Sequence, residues 1–304
     1  MTTNEVGAVT GAVAVDTAPA GDPESGAAGR RSGRMRWSPL LVTGALVCGF
    51  LVFVALFPGV FASQDPAQQD VQAQLQPPSA EHVLGLDQFG RDIYTRLVYG
   101  TRVSMIIGVS SVLLSLAIGI PIGMIAGYFR GKTERVIMWV VDVLMAFPGL
   151  ILALLFVALF GQSMWNITLA IVIGIVPVFA RLAHGPALAF REREFVKSSV
   201  AFGARPPWIL LKHIWPNLRT EMVVIGSMTA AVTIRVEAGL SFLGLGLPPP
   251  TATWGGMLRD GTTYLQTDPL YSVVAGLAIF LAALGFNLLG DGLRDALDPR
   301  SANS

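Results

Sequence analysis

Long apolar runs separated by short polar segments dominate the chain, and the runs have the length a bilayer demands. A hydrocarbon core about 30 Å thick is crossed by roughly 20 residues rising 1.5 Å each. Residues 40–57 open the series, with apolar character continuing to Ala62, and 101–128, 136–160, 165–182, 222–245 and 270–289 complete it. The pattern predicts an all-α integral membrane protein with six transmembrane helices. Val60, Phe61 and Ala62 resemble a secretory cleavage site, but the run before them exceeds a usual signal core and is read as a span.

The polar segments divide the rest. Residues 1–29 hold no Lys or Arg and show no sustained period, which predicts a disordered tail. Arg30, Arg31, Arg34 and Arg36 close it, so the tail is placed at 1–36, a transmembrane domain at 37–298 and a short C-terminal tail at 299–304. Within the domain, 63–100 forms one long loop and 184–221 another. Sixteen of the 21 Lys and Arg fall on one set of segments: the first cluster, Arg130 to Arg135, Arg181 to Arg219, and Arg294 with Arg300. Arg91, Arg96, Arg102 and Arg259 fall on the other, and Arg235 lies within a span. Positively charged loops stay cytoplasmic, which puts both termini and the 184–221 loop inside and 63–100 outside.

Composition narrows the function. The chain is 53% hydrophobic and 13% charged, half the charge usual in soluble domains. A net charge of +1 gives no electrostatic case for nucleic acid. One cysteine, Cys48, excludes an internal disulfide, and His82, His184 and His213 are too scattered to suggest a metal site. Ala126 to Thr133 loosely fits a phosphate-binding loop, but a membrane helix precedes it where a strand is required, so no ATP site is expected. Nor does any nucleophile, base or carboxylate pair assemble a catalytic motif. Gly119, Gly123 and Gly127 make a flat stripe for close helix approach, and Pro121, Pro148 and Pro177 sit inside spans as candidate kinks.

Three segments carry more specific information. The 184–221 loop holds Phe195, Val196, Lys197, Ser198, Ser199, then Gly203 and Ala204, then Ile209, Leu210, His213, Pro216 and Asn217. It reads as a short amphipathic helix, a glycine reversal, a second short helix and a Pro-Asn stop before the next span. The outer segment shows Gly85, Asp87, Gly90, Arg91 and Asp92, followed by Arg96, Gly100 and Arg102. The fifth span runs Glu237, Ala238, Gly239, Leu240, Ser241, Phe242, with Pro249, Trp254 and Gly255 beyond it, and the third holds Val141, Asp142, Phe147 and Pro148.

Together these resemble the permeases of ATP-binding-cassette importers, in particular the C-type subunit of the dipeptide/oligopeptide family, over roughly 37–298. The 184–221 loop is similar to that family's cytoplasmic coupling loop, with its glycine at Gly203 and its Pro-Asn at Pro216 and Asn217. The Glu-Ala-Ala of that loop is here Lys197, Ser198 and Ser199; in the outer motif Leu86 stands for the usual Thr and Thr95 for Ser. The resemblance implies the type I importer permease fold in a bacterial inner membrane. Implied partners are a second, B-type permease, two ATPase subunits that bind ATP and Mg²⁺, and an extracytoplasmic binding protein. This chain would then hold no cofactor and catalyse nothing itself. Di- or oligopeptides are the implied cargo, with nickel chelates, glutathione and haem as alternatives among relatives. A transporter working alone would predict inverted repeats, which the sequence does not show. Charges inside spans are expensive, so Asp142, Arg235 and Glu237, with Ser241, are expected to pair or to line a translocation path; Asp142 with Arg235 is one expected ion pair, and the alternatives are that Arg235 lines the path and meets a peptide carboxylate or that the charges are plainly structural.

Overall fold

A computed structural model describes residues 38–297. The expected tail 1–36, its basic cluster, Arg300 and the segment 299–304 lie outside the described residues. Ser38 starts the first helix by accepting the Leu41 N–H at 3.1 Å, and Pro39 takes the first helical position, where a missing N–H costs nothing. Helix α1 spans Pro39–Leu56, and one further turn, α2, spans Pro58–Phe61. A polar segment then runs to Asp92, whose carboxylate caps α3 (Ile93–Phe129) by accepting the Thr95 N–H at 2.7 Å. The cap places the start of α3 eight residues before the run at 101, so the loop expected at 63–100 ends at Asp92 and not at residue 100. With 37 residues, α3 is about 55 Å long and outreaches the bilayer core.

The expected third span is two helices. Helices α4 (Gly131–Met145) and α5 (Gly149–Phe160) meet at 87°. Pro148 lacks an N–H and drives Phe147 out of helical geometry, which breaks the ladder there. By contrast α6 (Met164–Arg191), capped by Ser163, runs through Pro177 and Pro186 without a break, as α3 does through Pro121. Beyond α6 come α7 (Glu194–Ala201) and α8 (Pro206–Ile209), a π-type turn at Leu210–Ile214, then α9 (Trp215–Phe242). From Pro206 to Phe242 these form one span of 37 residues. Pro216 is therefore not the stop expected from the sequence. It sits in the first turn of α9, and because it cannot bond the Lys212 carbonyl, the ladder loosens into the π-type turn just before it. Helix α10 (Trp254–Thr262) lies in the segment after α9, and α11 (Pro269–Leu297) closes the described chain. Among the described residues, five helices are long and apolar enough to cross a membrane, six if the bent pair counts as one.

Helices in lipid gain little from the hydrophobic effect, so close backbone approach decides their packing. The glycine stripe of α3 lies directly on α6. A Cβ at Gly119 would stand 2.7 Å from the Val176 carbonyl oxygen and one at Gly127 2.6 Å from that of His184, while at Gly123 it would overlap the Ala180 carbonyl. Helix α6 answers with Ala180, Ala183 and Ala187, all fully buried. Helix α1 lies on α11 in the same way, Gly285 against Val47 and Gly292 against Leu41. Helix α9 fits between α3 and α11, with Ile234 over Gly108 and Met228 over Gly290. Gly123→Ala is expected to destabilise the protein by about 1–3 kcal/mol. Gly49→Ala, where a Cβ meets nothing within 4 Å, should leave the melting temperature unchanged. Thermal unfolding in detergent compares the two.

Candidate functional site

The segment between α6 and α9 folds into a knob at the end of the bundle that carries most of the basic residues. Helix α7 turns Val196 inward against Phe179, Ala183 and Ala187 of α6 and against Ile209, Ile214 and Leu218 of the returning arm. Phe195, Lys197 and Val200 face outward, and Phe202 is 92% exposed. Gly203 then reverses the chain at φ +80°, its N–H donating to the Val200 carbonyl at 2.9 Å and the Ala204 N–H to that of Ser199 at 3.0 Å. A Cβ at Gly203 would meet nothing within 4 Å, so backbone conformation, not space, selects glycine.

His213 joins the two arms. Its Nε2 lies 3.0 Å from the Ser199 hydroxyl, and its ring stands between Phe195 and Trp208, with centroids at 5.7 and 4.9 Å. Asn217 donates to the His213 carbonyl at 2.6 Å, Pro216 is exposed beside it, and Leu210 and Ala204 pack on the buried cluster. Lys197 bonds Glu192 within the chain at 3.1 Å, and Glu192 also meets Arg130 at 2.8 Å. The Lys197 ammonium first, then the Arg130 guanidinium, hold the Glu192 carboxyl below the usual carboxylate range.

At the opposite end the motif at Gly85 to Asp92 forms a buried ionic staple. Asp87 is fully buried and accepts the Phe89 and Arg91 N–H groups at 2.9 and 3.0 Å and the Arg91 Nε at 2.6 Å; Arg96 Nε approaches at 3.4 Å. Arg96 also donates to the Pro66 and Pro250 carbonyls, and Arg91 reaches toward Asp260 of α10 at 4.0 Å. Gly85 and Gly90 adopt φ +80° and +69°; a Cβ at Gly85 would sit 2.6 Å from the Gln76 carbonyl, and one at Gly90 would overlap Asp70. Asp92, besides capping α3, holds His82 at 3.0 Å.

The expected pair of Asp142 with Arg235 does not form. Asp142 pairs with Arg181 of α6, because α4 crosses α6 and Glu134 with His184 at 2.8 Å fixes that crossing. Arg235 and Glu237 point to opposite sides of α9: Arg235 is exposed, and Glu237 is fully buried with Ser241 donating to it at 2.8 Å.

Residues 119–303 match the family described as the binding-protein-dependent transport system inner membrane component. The chain belongs to that family. This permease is 45% identical over 223 residues to the glutathione transport system permease protein GsiD of Pectobacterium atrosepticum, covering 73% of this chain and 74% of that one. It is 38% identical over 267 residues to the dipeptide transport system permease protein DppC of Alkalihalophilus pseudofirmus, covering 88% of each. Its fold matches a chain of the inward-facing MetNI methionine ABC transporter with a TM-score of 0.54 at 19% identity, over 67% of this chain and 97% of that one. It is thus a multi-pass ABC importer permease of the peptide family with the type I fold.

Several residues of the permease that matter here were not singled out in the sequence. From the sequence Arg181 is only a loop cation, Glu192 carries no signal, and α10 reads as plain loop. The nine-residue spacing from Asp87 to Arg96, across a helix start, was the available signal for the staple. Asp87→Ala would leave Arg91 and Arg96 buried without a counter-charge and is expected to cost about 3–5 kcal/mol. Limited proteolysis of the 63–92 segment, faster in this variant than in wild type, checks it.

Proposed function

We propose that this permease is the C-type transmembrane subunit of an ATP-driven importer in a bacterial inner membrane, carrying di- or oligopeptides inward. The observation that carries the reading is the exposed knob at Phe202 and Gly203, whose two arms are rooted in the membrane helices. One arm is tied to α6 by a two-residue link after Arg191; the other is continuous with α9 from Pro206 onward. A force on the knob is passed to α9 as to a lever, since Val196, Ile209, Ile214 and Leu218 lock both arms to α3 and α6. Two ATPase subunits, which bind ATP and Mg²⁺, are the proposed source of that force. A B-type permease forms the other half of the path, and a binding protein delivers cargo to the opposite end.

The excess of Lys and Arg at the knob end supports a cytoplasmic location for it and for both termini. Glutathione is the second cargo reading, favoured by the 45% identity to a glutathione permease. The permease itself supplies the path and the coupling, and its partners supply the hydrolysis.

Proteoliposomes holding the whole complex test this with labelled dipeptide and glutathione, with and without internal ATP. Uptake is expected only with ATP. Gly203→Val, a β-branched residue at φ +80°, should lower it about 5- to 150-fold while the complex still assembles, from the 1–3 kcal/mol such a backbone costs. Uptake without ATP, or wild-type uptake in that variant, would sink the assignment.

A further inference from the structure

Three charges lie well away from the span ends: Asp142 pairs with Arg181, and Glu237 is buried with one carboxylate oxygen accepting from Ser241 and the other without a hydrogen-bond partner among the described residues. Arg235 has no hydrogen bond or ion pair among the described residues, and its side is exposed. It stands seven residues before the outer end of α9, about 10 Å along the axis, and about 30 Å from the start of α9 at the knob end. Successive residues turn 100°, so Arg235 shares a face with Met228, Val232, Gly239 and Phe242. Ile234 and Thr233, turned away from it, pack on Gly108 of α3. That face lies between α5, where Leu150 sits beside Gly239, and α11, where Gly290 sits under Met228. Gly239 leaves the space next to the guanidinium open, since a Cβ there would meet nothing nearer than Leu150 at 3.9 Å.

A guanidinium is always charged and is driven out of hydrocarbon, so this face is turned to water or to another protein group. We infer that Arg235 lines the aqueous route and receives a carboxylate of the cargo as it passes. The guanidinium fork matches a carboxylate in two parallel hydrogen bonds, and dipeptides and glutathione share that group. The inference rests on the peptide-import reading above.

Two measurements test it. In the reconstituted complex, with each cargo presented on saturated binding protein, Arg235→Gln is expected to slow uptake of a dipeptide with a free C-terminal carboxylate about tenfold, as the loss of a charged hydrogen bond implies. Uptake of the same dipeptide as its C-terminal amide should change less than about twofold on the same ground, and Arg235→Lys should recover part of the loss. Separately, Arg235→Cys in a Cys48→Ala background should react with an anionic, membrane-impermeant thiol reagent, and saturating peptide should protect it. Equal slowing of both peptides, no slowing, or an unreactive Cys at 235 would overturn the inference. So would a Gln variant that no longer assembles, which would assign the guanidinium to a carboxylate of the second permease. If wild type imports neither peptide while the thiol at 235 still reacts, the peptide reading fails and the carboxylate ligand with it, but the side chain remains located on the aqueous route.

Discussion

The contact on which the rest of this permease depends is the backbone-to-backbone approach of α3 and α6. Glycines at 119, 123 and 127 on one side and alanines at 180, 183 and 187 on the other bring the two axes closer than any larger side chain permits. In lipid this closeness is the main source of attraction, because dispersion falls off steeply with distance and apolar side chains gain nothing by leaving the acyl chains. Once α6 is fixed, its far end becomes the platform for the knob. Arg181 and His184 seat α4, Ala183 and Ala187 receive Val196, and Glu192 gathers Arg130 and Lys197.

The spans and the knob were legible because they rest on strong local signals: apolar length, charge bias, and a glycine between two short apolar patterns. The glycine stripe was legible for the same reason, since its spacing is set by helix geometry. What the sequence hid was partnership. Hydropathy starts α3 at residue 101 because Arg96 looks like a loop residue, although Asp92 caps the helix and Asp87 neutralises the buried arginine. Asp142 was given to Arg235 because both lie in spans, but the 87° bend at Pro148 turns α4 across α6 and delivers the carboxylate to Arg181. A proline marks where a helix can break and not how far it turns: Pro121 and Pro177 are absorbed, and Pro148 is not.

The π-type turn ahead of Pro216 gives the second arm of the knob its character. One loosened turn lies between the exposed apolar tip and a helix that crosses the whole membrane, and buried residues clamp it at Ile209, Ile214 and Leu218. His213 sits on that turn and ties it back to Ser199, which links the two arms. Lys197 is engaged with Glu192 inside the chain, so it offers no free charge on the outward side of α7.

The three charges well inside the spans are placed differently, and Glu237 keeps one carboxylate oxygen without a partner among the described residues. Asp142 is exposed on its own helix but paired across to α6, so its expense is offset by an opposite charge. Glu237 is buried where one hydroxyl reaches it, and α10 is packed over it through Gly255, whose lack of a side chain lets the α9 backbone approach. Arg235 has neither device, two residues away on the same helix. A helix cannot turn both residues inward, because 200° separates them, so burying Glu237 against α3 and α10 necessarily turns Arg235 out. The side of α9 that faces away from its own bundle is thereby given a fixed positive charge, and any environment that meets that side in the assembled importer must be able to solvate it.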